Sequence, residues 1–161
     1  MLGEMQDIEV ITRAFIMKDD KILLAHAKGA YNTFLPGGHI EKGEFARDAL
    51  ERELLEELGV NSRVGDFLGL LEYFYWLNDD SEIQEINVIF SAELGNYDVT
   101  SKEGKLEFIW VIKEELKTAN LLPEPLPMLL HNWMQTQKSF YHSTVESVKT
   151  RNAVKNTNNI Q

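Results

Sequence analysis

At 161 residues the chain is one domain long and too short for two ordinary ones. Its 43% hydrophobic and 26% charged residues, with no cysteine, exclude wholesale disorder, collagen-like repeats, disulfides, zinc–thiolate sites and thiol nucleophiles. Sixteen Lys and Arg against 26 Asp and Glu give a formal net charge of −10, which argues against a nucleic-acid polymer as partner and means that an anionic small molecule would need a cation to escort it.

The N-terminal stretch MLGEMQDIEVITRAF carries acids where a secretory signal would be basic. The most apolar stretch, Phe67 to Leu77, is interrupted by Gly69 and Glu72 and falls far short of a membrane span. A cytoplasmic protein with no membrane partner is expected. Glu9 to Met17, rich in Val, Ile and Thr, predicts a strand, Lys18-Asp19-Asp20 a turn, and Lys21 to Ala27 a second strand, together a hairpin. Lys28 to Gly43, centred on Leu35-Pro36-Gly37-Gly38, reads as a loop with demanding backbone geometry. Glu44 to Leu58 has no Gly or Pro and stops at Gly59, the pattern of a helix. Val64 to Leu77 and Ile83 to Leu94 predict a long hairpin across Asn78-Asp79-Asp80-Ser81, Leu106 to Ile112 a further strand, and Lys113 to Lys117 a short helix. Pro127 opens a second helix running to about Tyr141. The polar segment His142 to Gln161 reads as a tail or peripheral helix, so that residues 1–141 form the single domain. This order suggests an α/β architecture, a mixed sheet with helices packed against it.

The helix from Glu44 carries the main chemical clue. With Ala46 at zero and about 100° per residue, Leu50, Leu54 and Leu58 follow at roughly 40°, 80° and 120°, a stripe facing the core. Glu57 falls near roughly 20° and Glu53 near roughly 340°, inside that stripe, with Glu56 at its edge near roughly 280°. Asp48, Glu51 and Glu44 take the solvent side. Three carboxylates on successive turns are neighbours, and packing them away from water is costly unless they are protonated, paired with a cation or bound to a metal. Arg47 and Arg52 are too few to neutralise the set, so a hard divalent ion, Mg²⁺ or Mn²⁺, resolves it best. An ordinary solvated acidic helix is the competing explanation. Pro36-Gly37-Gly38 presents bare backbone that could approach a metal or phosphate, or simply make a tight turn.

The stretch Gly38-His-Ile-Glu-Lys-Gly-Glu44 … Arg52-Glu53-Leu54-Leu55-Glu56-Glu57-Leu58-Gly59-Val60 resembles the Nudix box, with every defined position filled. The resemblance implies the Nudix fold, an α/β/α sandwich around a mixed sheet. It also implies Mg²⁺-dependent hydrolysis of a nucleoside diphosphate linked to another moiety, by water attack on phosphorus. On that likeness Glu53, Glu56, Glu57 and the Gly38 carbonyl would ligate metal, Glu44 would lie near it, and Arg52 would orient the carboxylates. The general base would be Glu53 or a carboxylate outside the box, with Glu103 first and Glu107 second. A regulatory Nudix domain that has lost catalysis is the alternative, although such relatives usually show broken acid positions.

Substrate selection is expected from residues outside the box. Arg13, His26 and Lys28 are candidates for phosphate contact, and Tyr73, Tyr75 and Trp76 could stack on a base or serve the core. The region Leu121–Pro125 has no Asn of the kind that mutator-type relatives use for purines, Asn120 lying just before it, and Tyr73-Phe74-Tyr75-Trp76 stands where ADP-ribose hydrolases carry a proline. The expected partner is a nucleotide-type small molecule, with a homodimer compatible.

Overall fold

The computed structural model describes residues 8–76, 82–102 and 104–144. In chain order the strands are β1 (Ile8–Phe15), β2 (Met17–Lys18), β3 (Lys21–Ala27) and β4 (Gly37–His39), followed by helix α1 (Ala46–Leu58). Then come β5 (Ser62–Trp76), β6 (Glu82–Leu94), β7 (Leu106–Ile112), a 3₁₀ turn (Lys113–Thr118), α2 (Leu126–Thr136) and β8 (Phe140–Ser143).

The strands form a five-stranded mixed sheet, β4-β1-β6-β5-β8, and a three-stranded antiparallel sheet, β2-β3-β7. β1 runs parallel to β6 and antiparallel to β4, while β5 runs antiparallel to β6 and parallel to β8. One core lies under α1, where Leu50, Leu54 and Leu58 meet Ala14, Phe90, Ala92 and the second sheet's Leu23. The other lies under α2, where Leu126, Leu129 and Leu130 meet Phe15, Leu71 and Ile89. Burying each of the three α1 leucines contributes about 2 kcal/mol. The result is the expected α/β/α sandwich.

Several elements depart from the sequence expectation. The first hairpin is made by β2 and β3 alone, because after Phe15 the chain crosses from one sheet to the other. Asp19 and Asp20 both adopt positive φ, 48° and 62°, as a two-residue hairpin turn needs. The Lys28–Gly43 loop contains a strand, β4, whose glycines pair with Thr12 and Arg13. The predicted second helix ends at Thr136, where Gln137 enters the left-handed region at φ 55°. Residues 140–143 then form β8 along β5, and the Thr144 N–H donates to the Glu72 carbonyl, so the sheet runs past Tyr141. The turn at 78–81 and the segment beyond Thr144 lie outside the described residues.

Candidate active site

α1 begins after Phe45, which is extended (φ −85°, ψ 148°), and ends at Gly59, whose φ of 67° lets its N–H return to the Leu55 carbonyl. Its buried residues are Ala49, Leu50, Leu54, Leu58 and one acid, Glu57, which is 5% exposed. Glu53 is half-buried and Glu56 largely exposed, following the predicted order around the helix. Glu44 does not take the solvent side. It precedes the helix, so the wheel does not apply to it, and it folds back onto Arg52.

Arg52 gathers the acids. Its Nε and Nη2 donate to the two Glu44 oxygens at 2.9 Å each, its Nη1 donates to Glu53 at 2.7 Å and Glu56 at 3.4 Å, and Nη2 also reaches the His39 carbonyl at 3.1 Å. Every guanidinium nitrogen is engaged. These contacts raise the arginine pKa, and the Arg52 hydrogen bond is the main cause holding the Glu44 carboxyl below its ordinary value.

The glycine strand carries the backbone into this cluster. The Gly37 N–H donates to Glu57 Oε2 at 3.2 Å. Gly37 has φ 133°, and a Cβ there would overlap the Thr12 carbonyl; one at Gly38 would overlap the Glu53 carboxylate. Thr12, opposite Gly38 in the register, keeps a buried Oγ1 with no hydrogen-bond partner among the described residues. Four carboxylates against one fully engaged guanidinium, with only oxygen donors, suit a hard divalent cation. Among the described residues no three acid or histidine groups already converge as a closed cage, since Arg52 holds Glu44, Glu53 and Glu56.

Arg13 lies on β1, opposite Gly37 in the register. Its Nη1 donates to the Leu35 and Gly37 carbonyls at 3.1 and 3.3 Å, and its guanidinium sits 5.4 Å from the centre of the Phe34 ring. Burial lowers its pKa, while Glu85, Glu57 and Glu53 act in the opposite direction. Tyr75 shares the Arg13 face of the sheet, its ring 5.7 Å from that of Tyr73. His26 is on the smaller sheet, where Nε2 lies 3.2 Å from Glu107; both the phosphate candidate and the second base candidate are thus tied to each other. Lys28 is exposed, its N–H donating to the Lys105 carbonyl. Glu103 and the Trp76 side chain lie outside the described residues. Next to Glu103, the Lys102 N–H donates to the Glu57 carbonyl at 2.9 Å, and its side chain covers Gly59.

Sequence reasoning missed Glu85 and Asn87. Asn87 is 1% exposed and donates through Nδ2 to Glu85 Oε2 at 3.2 Å. A lone Asn inside the apolar run Ile86-Asn87-Val88-Ile89-Phe90 was the available signal.

Comparison with known proteins identifies the class of domain that this sandwich fold, acid-bearing helix and paired glycine strand belong to. Residues 9–131 match the family model described as NUDIX domain. The chain belongs to the Nudix family. It is 41% identical over 68 residues to a CTP pyrophosphohydrolase of Escherichia coli K12, covering 40% of this chain and 50% of that one. It is 30% identical over 126 residues to an 8-oxo-dGTP diphosphatase of Buchnera aphidicola subsp. Schizaphis graminum, covering 76% and 90%. The match thus spans about half the length of the first of these relatives. The crystal structure of a MutT protein from Methanosarcina mazei Go1 shares the fold, with a TM-score of 0.69 at 20% identity, covering 85% of this chain and 100% of that one. No helix among the described residues is long and apolar enough to cross a membrane.

Proposed function

We propose that the protein is a divalent-metal-dependent pyrophosphohydrolase acting on a nucleotide-type small molecule. Water adds to one phosphorus of the diphosphate, the bond from that phosphorus to the bridging oxygen breaks, and a nucleoside monophosphate leaves with a phosphorylated remainder. The observation that carries this reading is Glu57, buried among the core leucines of α1 yet bonded to Gly37 N–H, with Glu53 and Glu56 on the adjacent turns. The activities for which the Escherichia coli and Buchnera aphidicola relatives are named support it.

Gly38 through its carbonyl, with Glu53, Glu56 and Glu57, would hold Mg²⁺ or Mn²⁺, and Glu44 would stand close by. Such an ion, when bound, offsets the diphosphate charge and makes a bound water more acidic. The chain's own residues do the positioning. Arg52 holds Glu44, Glu53 and Glu56 in one orientation, and Arg13 fixes the Leu35–Gly37 backbone. Glu53 or Glu103 takes the proton from the attacking water. Residues 1–141, extended by the last two residues of β8, serve as the single catalytic domain, with the remainder as its appendage, in a cytoplasmic setting that leaves room for a homodimer.

The test is release of nucleotide or phosphate from a panel of nucleoside diphosphate derivatives, with and without Mg²⁺. Metal-dependent release from at least one member is expected. Binding without release would instead identify a regulatory domain.

A further inference from the structure

On the α2 side of the larger sheet, beyond Arg13, the register lays polar side chains in rows. Glu9, Glu85 and Tyr73 stand side by side across β1, β6 and β5; the next row inward is Ile11, Asn87 and Leu71, and Tyr75 lies one row outward. Asn87 is the anomaly. Its Nδ2 hydrogen bond to Glu85 fixes the amide orientation, and its buried Oδ1 has no partner among the described residues. A buried carbonyl left unpaired is expensive and calls for an explanation.

The surrounding hydrogen-bonding groups indicate what is missing. Asn87 Nδ2 donates to Glu85, and Arg13 Nη1 donates to the Leu35 and Gly37 carbonyls, while Arg13 Nε and Nη2 make no such bond among the described residues. On Asn87 and Glu85 themselves acceptors stand open, the buried Asn87 Oδ1 and the rest of the Glu85 carboxylate. A ligand that completes this site brings N–H donors. The flat Tyr73–Tyr75 pair, with ring planes 28° apart, favours a flat ring carrying them. Arg13, on the same sheet face, lies within electrostatic reach of Glu85 and of the box acids Glu53 and Glu57.

We propose that this face of the sheet reads amino-substituted bases, holding a heterocycle against Tyr73 and Tyr75 and receiving its exocyclic amino group on Glu85 and Asn87. The inference deepens the proposed function and rests on it for the placement of the diphosphate. A base with a carbonyl oxygen at the same position would point one acceptor at another, and such mismatches discriminate more strongly than apolar contacts.

Metal-free calorimetric titration of the wild-type chain compares CMP with UMP and AMP with IMP. The amino member of each pair is expected to bind about tenfold tighter, the scale of one charge-assisted hydrogen bond. Equal affinities within the pairs, or no binding of any of the four, would overturn the proposal. Glu85→Gln and Asn87→Leu should each collapse the ratio towards one by weakening the amino member, with circular dichroism reporting the fold; if Asn87→Leu does not fold, Glu85→Gln decides. A wild-type chain that prefers amino bases but hydrolyses nothing would refute the proposed function and leave this inference standing. Turnover with no amino preference would do the reverse.

Discussion

Arg52 and Glu44 form a two-pronged pair, Nε to Oε1 and Nη2 to Oε2, both at 2.9 Å. The pair ties the loop before α1 to the middle of the helix, and the remaining Arg52 nitrogen is left for Glu53 and Glu56. A lysine carries the same charge but cannot reproduce the fork. Arg52→Lys should therefore lower kcat by about 10- to 100-fold while circular dichroism stays native. An unchanged kcat would mean that the fork does not orient the acids.

Glu56→Gln and Glu57→Gln each remove one charge and keep an oxygen that can accept, as Glu57 does from Gly37 N–H. Turnover should fall by roughly 100-fold or more, with a matching loss of Mn²⁺ affinity by calorimetry and little change in Tm. If both variants bind metal like the wild type, the box acids are not its ligands.

Glu103→Gln separates the two base assignments. A drop of about 100-fold in kcat with metal affinity retained would give the proton transfer to Glu103. An unaltered rate would return it to Glu53.

The two glycines of β4 should fail differently. Gly37→Ala places a Cβ into the Thr12 carbonyl at a φ of 133°, so it should cost about 2 kcal/mol or more of stability by urea unfolding. Gly38→Ala meets the Glu53 carboxylate first, the movable end of a side chain, and should leave the fold intact while weakening metal binding.

Burial, and then the Glu85 and Glu9 charges, raise the Tyr75 phenol above its ordinary value. A raised folded-state value means that the proton is held more tightly when folded. The associated stability is complete below about pH 10 and is lost as pH rises through the folded value. Tyrosinate absorbance should place the midpoint above about 10 in the wild type. In Glu85→Gln it should move down without reaching the ordinary value, since burial is the larger cause.

Legibility in the sequence followed the range of the interactions. α1 and its acids were readable because helical periodicity repeats within a few residues, and Glu57 falls inside the core stripe as the wheel requires. Glu44 was misread because it sits outside the helix, where its contacts with Arg52, eight residues on, and with the Glu41 N–H define its position. β4 was hidden because its three residues are bare backbone whose partner strand lies far upstream. The first half of β8 was read as helix, and its second half as the start of the tail, because Gln137 breaks α2 without a Gly or Pro. Asn87 and Glu85 became a site only once β1, β5 and β6 were aligned, and no local pattern encodes that alignment.

The ring of Phe140 is seated on Gly69, where any side chain would overlap it, and this seat lets β8 lie along the middle of the 15-residue β5. The far rim of the sheet is β4, only three residues long. β8 thus interrupts one border at residues 69–72, and the other border is short, which limits the run a stranger's backbone could zip onto. A chain cut after Gln137 would lose that cover and run on gel filtration as oligomers and aggregates.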